Sequence, residues 1–313
     1  MFLTQNKILL IKREAVYGTD SAPTVAANAV DAKGIKIDYQ YDVLPRDIVR
    51  NTLSPVAPII GQRSVEISFM LEIKWSGTKG TVARLSDALV ACGLAETVSA
   101  GSSVIYKPTD VAALSATIWL YELQDTGNCR LHKITGAMGT PSLVIENGKI
   151  AGIELKFQGI ANDPTEAAAP ATPTWETVIP PICESATLTL NSVALIAQSL
   201  KIDLNNEIVK RDDLNSAAGL KGFALVGRKP SGSINPEAVL AATYDFYADF
   251  KAATSRALSI VIGTAAGNKL TITAPKLVID KLGNADRGGI GSRDVGFELV
   301  GNTGGDELQL KFE

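Results

Sequence analysis

The chain has 313 residues, 30 basic against 33 acidic, one histidine and a formal charge of −3. That length suggests two domains, each able to bury a core, and the scattered basic residues exclude the cationic stripe that grips phosphate backbones tightly. Cys92, Cys129 and Cys183 lie far apart with no Cys-x-x-Cys pair, which excludes a disulfide framework and a zinc site.

At the amino terminus, "MFLTQNKILLIKREAVYG" holds an apolar run only from Ile8 to Ile11, broken by Lys12. This is far short of a secretion signal or a membrane span, so no membrane insertion is expected and the chain is expected on the cytoplasmic side until lysis. Residues 1–32 match nothing in the second half and read as an N-terminal arm carrying the turn formers "YGTDSAPT".

Next comes "KIDYQYDVLPRD" (36–47), and 165 positions later "KIDLNNEIVKRD" (201–212). The same offset, without a gap, aligns Arg63 with Arg228, Ser68 with Ser233 and Glu72 with Glu237, giving eight identities from Lys36 to Glu72. Such self-similarity predicts an internal duplication. Domain one is expected at 33–160, a linker at 161–183 and domain two at 184–313.

Between the paired strands, residues 39–62 and 204–227 are too long for ordinary hairpin loops. They hold Ile48, Val49, Leu53, Ile59 and Ile60 in the first copy and Leu214, Leu220, Phe223 and Leu225 in the second. Apolar groups in that number need cover, and with charges that balance the loops are predicted to contact other subunits. Arg46-Asp47 recurs as Arg211-Asp212 and is read either as a local bridge or as a pair setting register between stacked subunits. Arg50, Arg63 and Arg228 are counted with these contacts.

"SVEISFMLEI" (64–73) alternates strictly, with Val65, Ile67, Phe69 and Leu71 on one face and Glu66 and Glu72 on the other. "IELKFQG" repeats the pattern with Glu154 outward, as do "LKIDL" and "ELQLKFE". This is the mark of antiparallel sheets with one wet side. Helical period occurs twice. Leu85, Ala88, Leu89 and Cys92 form a stripe ended by Gly93, so Cys92 reads as a small buried hydrophobe. Thr243, Phe246, Tyr247 and Phe250 form the other. Later segments correspond with gaps: "ALSATI" (113–118) with "ALSIVI" (257–262), "HKIT" (132–135) with "NKLT" (268–271), and "PSLVI" (141–145) with "PKLVI" (275–279). "ANDPTEAAAPATPTWETVIPP" (161–181) is too proline-rich to cross a sheet and reads as a semi-rigid spacer.

Chemistry is hard to find. His132 is the only histidine, which removes multi-histidine metal sites, and its place in "LHKIT" predicts an ordinary strand residue. "GTAAGN" (263–268) lacks the lysine and spacing of a phosphate loop and is expected to be a hairpin turn. "RGGIGSRD" (287–294) lacks a dinucleotide-loop context and is expected to be a flexible connection. Asp212 and Asp213 point to opposite faces of an extended chain and so share no site. No acid, base or nucleophile constellation emerges, so no catalysis and no cofactor are expected.

Over most of its length the chain resembles the two-domain major tail tube proteins of long, non-contractile-tailed bacteriophages. The resemblance is carried by "KREAVYGTDSAPT" (12–24), "RDIVRNTLSP" (46–55), "ACGLAETVSAG" (91–101), "LHKITGAMGT" (131–140), "TPTW" (172–175) and "GGDELQLKFE" (304–313), in that order. It implies a mainly β fold of two tandem β-sandwich or barrel domains, each with one flanking helix, whose sheets join those of neighbours around a channel. The long loops, 39–62 and 204–227, would reach the adjacent ring. A duplicated chain is then expected to close as a trimeric, pseudo-hexameric ring stacked into a tube. DNA must pass this channel without being held, which favours Glu66, Glu72 and Glu154 as lumen residues. Implied partners are the chain itself, a tape measure protein in the lumen, a tail terminator and tail-tip or baseplate proteins at the ends, and genomic DNA transiently. The location implied is the virion tail, assembled in the host cytoplasm. No further immunoglobulin-like domain is expected. The alternatives are a tail terminator or baseplate hub ring, or a two-domain β-rich module binding carbohydrate or a cell surface, for which Trp75, Trp119 and Trp175 are not clustered in sequence.

Overall fold

A computed structural model describes residues 2–111, 114–125, 127–216 and 218–313. Its first half contains β1 (Phe2–Arg13), β2 (Ala29–Val30), β3 (Ala32–Leu44), β4 (Ile59–Glu72), α1 (Leu85–Ala91), β5 (Leu94–Ser99), β6 (Ser103–Pro108), β7 (Ala116–Gln124), β8 (Asn128–Glu146), β9 (Gly152–Ala161) and β10 (Thr165–Ala168). The second contains β11 (Thr187–Leu190), β12 (Val193–Ala194), β13 (Ala197–Asp203), β14 (Asn206–Asp212), β15 (Leu220–Arg228), β16 (Ser231–Pro236), α2 (Phe246–Ala252), β17 (Arg256–Ile262), β18 (Leu270–Arg287), β19 (Ile290–Leu299) and β20 (Gln309–Phe312).

The fold is mainly β, as the alternation predicts. Val65, Ile67, Phe69 and Leu71 are buried while Glu66 between them is exposed. In the first half, antiparallel ladders run β3-β4-β9-β8-β7-β1-β2. In the second they run β13-β16-β19-β18-β17-β11-β12, the same order. Each sheet curls at its long strand. Bulges interrupt β8 between Thr135 and Met138 and β18 between Ile279 and Lys281, and bulges add twist and bend the strand that carries them. In the first half the curl brings β3 over β8, closing the core between them: Tyr39 Oη lies 2.7 Å from His132 Nδ1 although the two strands sit three ladders apart.

The register agrees as well as the order. Lys36 faces Ser68 and Lys201 faces Ser233, at the offset of 165. For the later strands the matching offset is 140: Ala116↔Ala137 and Ile118↔Ile134 recur as Arg256↔Leu277 and Leu258↔Ala274, with the bulge in the same place. This corrects the gapped correspondences expected from the sequence, of which Ala113 lies outside the described residues. Within the first 32 residues, two strands also have counterparts. β1 and β2 hold the places that β11 and β12 hold in the second half, so the segment read as an arm is built into the sheet, with Leu9 and Leu10 at most 1% exposed.

The halves are fused. β13 pairs with the end of β8, from Ser199↔Glu146 to Asp203↔Ser142, and β20 pairs with β6. Trp75 stacks on Phe312 with ring centroids 3.8 Å apart, and Trp75 N–H donates to Asn268 Oδ1 at 2.9 Å. One apolar core runs through both halves. Between them, the proline-free stretch Thr165–Ala168 pairs with the start of β8. The proline-bearing stretch 169–181 forms no regular strand, consistent with the missing donors of proline. Arg84 pins that stretch, donating to the carbonyls of Ala26, Ala29 and Thr174, while Glu176 accepts from the Arg84 N–H.

Helix α1 buries Leu85, Ala88 and Leu89 as predicted and ends at Gly93, φ +77°. Helix α2 differs from expectation. Phe246 is buried, but Tyr247 and Phe250 are 55% and 41% exposed. Residues 287–294, expected to be a flexible connection, are a tight hairpin in which Gly288 and Gly289 sit at φ +60° and +91° between β18 and β19, the left-handed pair that a two-residue hairpin turn requires. The 263–268 stretch is the turn expected, joining β17 to β18.

Candidate assembly interface

The two long inter-strand segments fold differently from each other. In the first half β3 and β4 extend to Leu44↔Ile59, leaving residues 45–58 as an exposed tip. Val49 and Leu53 stand wholly in solvent there, at 99% and 105% exposure. Among the described residues Arg46, Asp47 and Arg50 on this tip make no side-chain ion pair, so the predicted Arg46-Asp47 bridge is not formed. In the second half the same connection kinks at Asn205, φ +47°, and becomes the separate hairpin β14–β15.

That hairpin lies back on the first half. Asn206 donates to the carbonyls of Cys92 and Gly139, at 2.7 and 2.9 Å. Leu220 and Phe223 bury against Met138 and Tyr17. Tyr17 itself is held by the "KREAVYG" turn, where the buried Glu14 carboxylate accepts from the Gly18 and Gly136 N–H groups and the Ser115 and Thr117 hydroxyls. Sequence reasoning missed Glu14 and Tyr17; their only signal was the family-like motif that contains them.

The other predicted contact residues are dispersed. Arg63 pairs with Asp163 at 3.4 Å. Its repeat mate Arg228 is drawn into the chain, donating to the Thr109 carbonyl and pairing with Asp110 at 2.6 Å and Glu307 at 3.1 Å. Burial works against its charge, but these two carboxylates outweigh that and hold its guanidinium above the ordinary value. Asp212 accepts from Gln62 Nε2 at 2.8 Å, joining the bases of the two long segments, and Arg211 is exposed beside it.

The wet face of β3, β4 and β9 carries Lys36, Asp38, Glu66, Lys156 and Gln158 around a shallow depression, with Glu154 exposed further along β9. Glu66 accepts from Gln158 at 3.1 Å, and Glu72 is paired with Lys33. On β13 and β19 the face continues as Lys201, Asp203, Asp294 and Glu298. It is a mixed, mildly acidic surface.

Among the edges left open in the described residues, two belong to the strands that flank the junction between the halves. β3 pairs only with β4. β18 loses β17 after Leu277, so on that side its end has no partner strand while β19 lines the other side. These are the counterparts of the edges that β13 and β8 join within the chain.

No group of three or more potential metal ligands exists among the described residues. Cys92, Cys129 and Cys183 are buried free thiols pushed up by burial. His132 is buried in its strand. Trp75 is buried, Trp119 lies beneath Lys133, and Trp175 is in the linker, so the three do not form a common platform. No described helix is long and apolar enough to cross a membrane, which says nothing of strands.

A search of curated proteins finds no match. The family comparison does: the phage tail tube protein family matches residues 4–302, nearly the whole chain, and the protein belongs to that family.

Proposed function

We propose that the protein is a structural subunit that joins head to tail into three-chain, pseudo-hexameric rings, and that the rings stack into the phage tail tube. The observation that carries this is the pair of open edges. The chain already joins β8 of one half to β13 of the other, and it keeps the matching edges, β3 and β18, one in each half. Heterologous edges of this kind generate a closed ring when the rotation per unit divides the circle, and closure removes both of these edges as sites of aggregation.

The two halves with one strand order support an internal duplication, so three chains would supply six units. The wet face bearing Glu66, Glu72 and Glu154 then lines the channel, where a mixed and slightly acidic wall lets genomic DNA pass without gripping it. The tip at 45–58, with Arg46, Asp47, Arg50, Val49 and Leu53, reaches the adjacent ring. Arg63, Arg211 and Asp212 flank that contact, while Arg228 supports it from within the chain. A tape measure protein in the lumen and terminator and tail-tip proteins at the ends complete the partners of such a tube, assembled in the host cytoplasm.

Electron microscopy of the purified chain over a concentration series, with symmetry determined on the assemblies, tests this. Stacked rings of three chains are expected. Rings of six chains would overturn the count, and closed rings that never stack would mark a terminator or hub instead.

A further inference from the structure

The internal junction also specifies how two copies meet. Resting on the ring reading above, we infer that ring closure repeats the β8–β13 junction residue for residue: Gly34–Asp38 of one copy pairs antiparallel with Gly283–Arg287 of the next, with Lys36 opposite Ala285 and Ile37 opposite Asn284.

The register follows from the ladders. β3 corresponds to β13 at the offset of 165, because Lys36↔Ser68 matches Lys201↔Ser233. β9 corresponds to β19 at 140, because Ile234↔Val295 matches Phe69↔Leu155. Beyond the bulge at Asp280, β18 has one residue more than β8, so Val144↔Gly152 matches Ala285↔Ser292 and Leu143↔Ile153 matches Asn284↔Arg293. Inside the chain Lys201 faces Val144 and Ile202 faces Leu143. Their counterparts across the ring are Lys36 with Ala285 and Ile37 with Asn284.

Burial agrees with this match. Leu200, Ile202 and Leu204 are covered by the internal junction, at no more than 2% exposure, whereas their counterparts Ile35, Ile37 and Tyr39 are only half-buried. Covering them with a neighbour's strand removes further apolar area from water, and the ladder satisfies edge donors and acceptors. The helices differ in the same sense. The carbonyl of Cys92, just past α1, is capped by Asn206 of the joined half. Asn206 corresponds to Tyr41, which is 38% exposed, and α2 keeps Tyr247 and Phe250 uncovered. In the repeated junction Tyr41 arrives beside the end of α2, where it adds cover to Phe250 and to Tyr247, whose ring Arg293 already contacts from one side.

Paired cysteines test the register in the full chain. Lys36→Cys with Ala285→Cys, oxidised after assembly, is expected to give covalent dimers and closed trimers on a non-reducing gel, and none from monomer at low concentration. The slipped pairs, Lys36→Cys with Gly283→Cys or with Arg287→Cys, place Cα atoms about 7–8 Å or more apart, beyond the reach of a disulfide. Preferential cross-linking of a slipped pair in rings or tubes overturns the register while leaving the ring reading intact. Failure of the unmodified chain to form rings overturns the ring reading itself. If the cysteine variants do not assemble, hydrogen exchange on the unmodified chain decides: the amides of 34–38 and 283–287 become protected on assembly, or the inference is wrong.

Discussion

The Tyr17 hydroxyl accepts from the Phe223 N–H at 2.5 Å and donates to the Gly136 carbonyl at 3.1 Å, so one side chain from the first half fixes the β14–β15 hairpin of the second. Burial pushes this hydroxyl above its ordinary value, so it stays protonated and able to donate at neutral pH. Tyr17→Phe leaves the Phe223 N–H and the Gly136 carbonyl without this partner and is expected to cost about 1–3 kcal/mol. Hydrogen exchange should show the loss concentrated in residues 220–228. Gly222→Ala should do more harm, because its Cβ would lie 2.2 Å from the Tyr17 oxygen at a φ of +139°. Uniform loosening of the whole chain in Tyr17→Phe would contradict the local role assigned to this hydroxyl.

Glu14 is 2% exposed and satisfies four donors. Replacing it with alanine strands all four in a dry site, with an expected loss of about 3–5 kcal/mol. Glu14→Gln keeps one acceptor oxygen and should lose less. Thermal unfolding of the two variants gives the order. Equal losses would mean that packing at this position, and not its hydrogen bonds, supports the turn.

His132 gives the fold an acid sensitivity. Burial lowers its affinity for a proton, and the Glu122 hydrogen bond only partly opposes this. The groups around it are Tyr39 on β3, Lys7 on β1, Glu122 on β7 and Arg130 on β8. A neutral ring accepting from Tyr39 at Nδ1 and donating from Nε2 to Glu122 satisfies both contacts. The unfolded chain's imidazole takes up its proton near pH 6.5, while the folded one resists, so the unfolded state binds more protons as pH falls. Burial raises Glu122, but Lys7 and His132 outweigh it and leave its carboxyl below the ordinary range, so it adds further acid loss below about pH 4.5. Stability should therefore decline from about pH 6.5 downward, by no more than about 1.4 kcal/mol per pH unit for His132 alone. His132→Gln should flatten that stretch of the curve. An unchanged slope would assign the acid loss to other groups.

The strands and their faces were legible in the sequence because alternation at period two is a local property, and Leu85, Ala88 and Leu89 announced α1 equally well. Register in the later strands was not legible. The sequence matches placed "ALSIVI", "NKLT" and "PKLVI" at offsets of 144, 136 and 134, whereas the ladders match at 140. The first two errors are even, and an even slip keeps every apolar residue on its proper face. The third spans the extra residue at Asp280, beyond which the offset is 141, and that bulge offsets the odd step. Periodicity therefore could not expose the error; only the partner strand does. The aromatic stripe on α2 failed for a related reason. Helical spacing puts Phe246 and Phe250 on one side but does not say whether anything covers that side. The fusion of β8 with β13 involves strands more than 50 residues apart, and no local pattern encodes it.

Leu53 separates folding from assembly. It stands on the tip between β3 and β4 at 105% exposure, touching nothing that folding buries. Leu53→Asp should change the stability of the single chain by no more than about 0.5 kcal/mol, as expected for an exposed position. If the tip enters a neighbouring ring, each contact loses roughly 1.5–3 kcal/mol of apolar burial, and the concentration needed for tubes should rise about tenfold or more. Rings should still close, since β3 and β18 are untouched. Sedimentation of the variant across a concentration series reads both effects: rings that do not lengthen support the tip as the contact between rings, whereas tubes of normal length at the normal concentration would move that contact elsewhere on the chain.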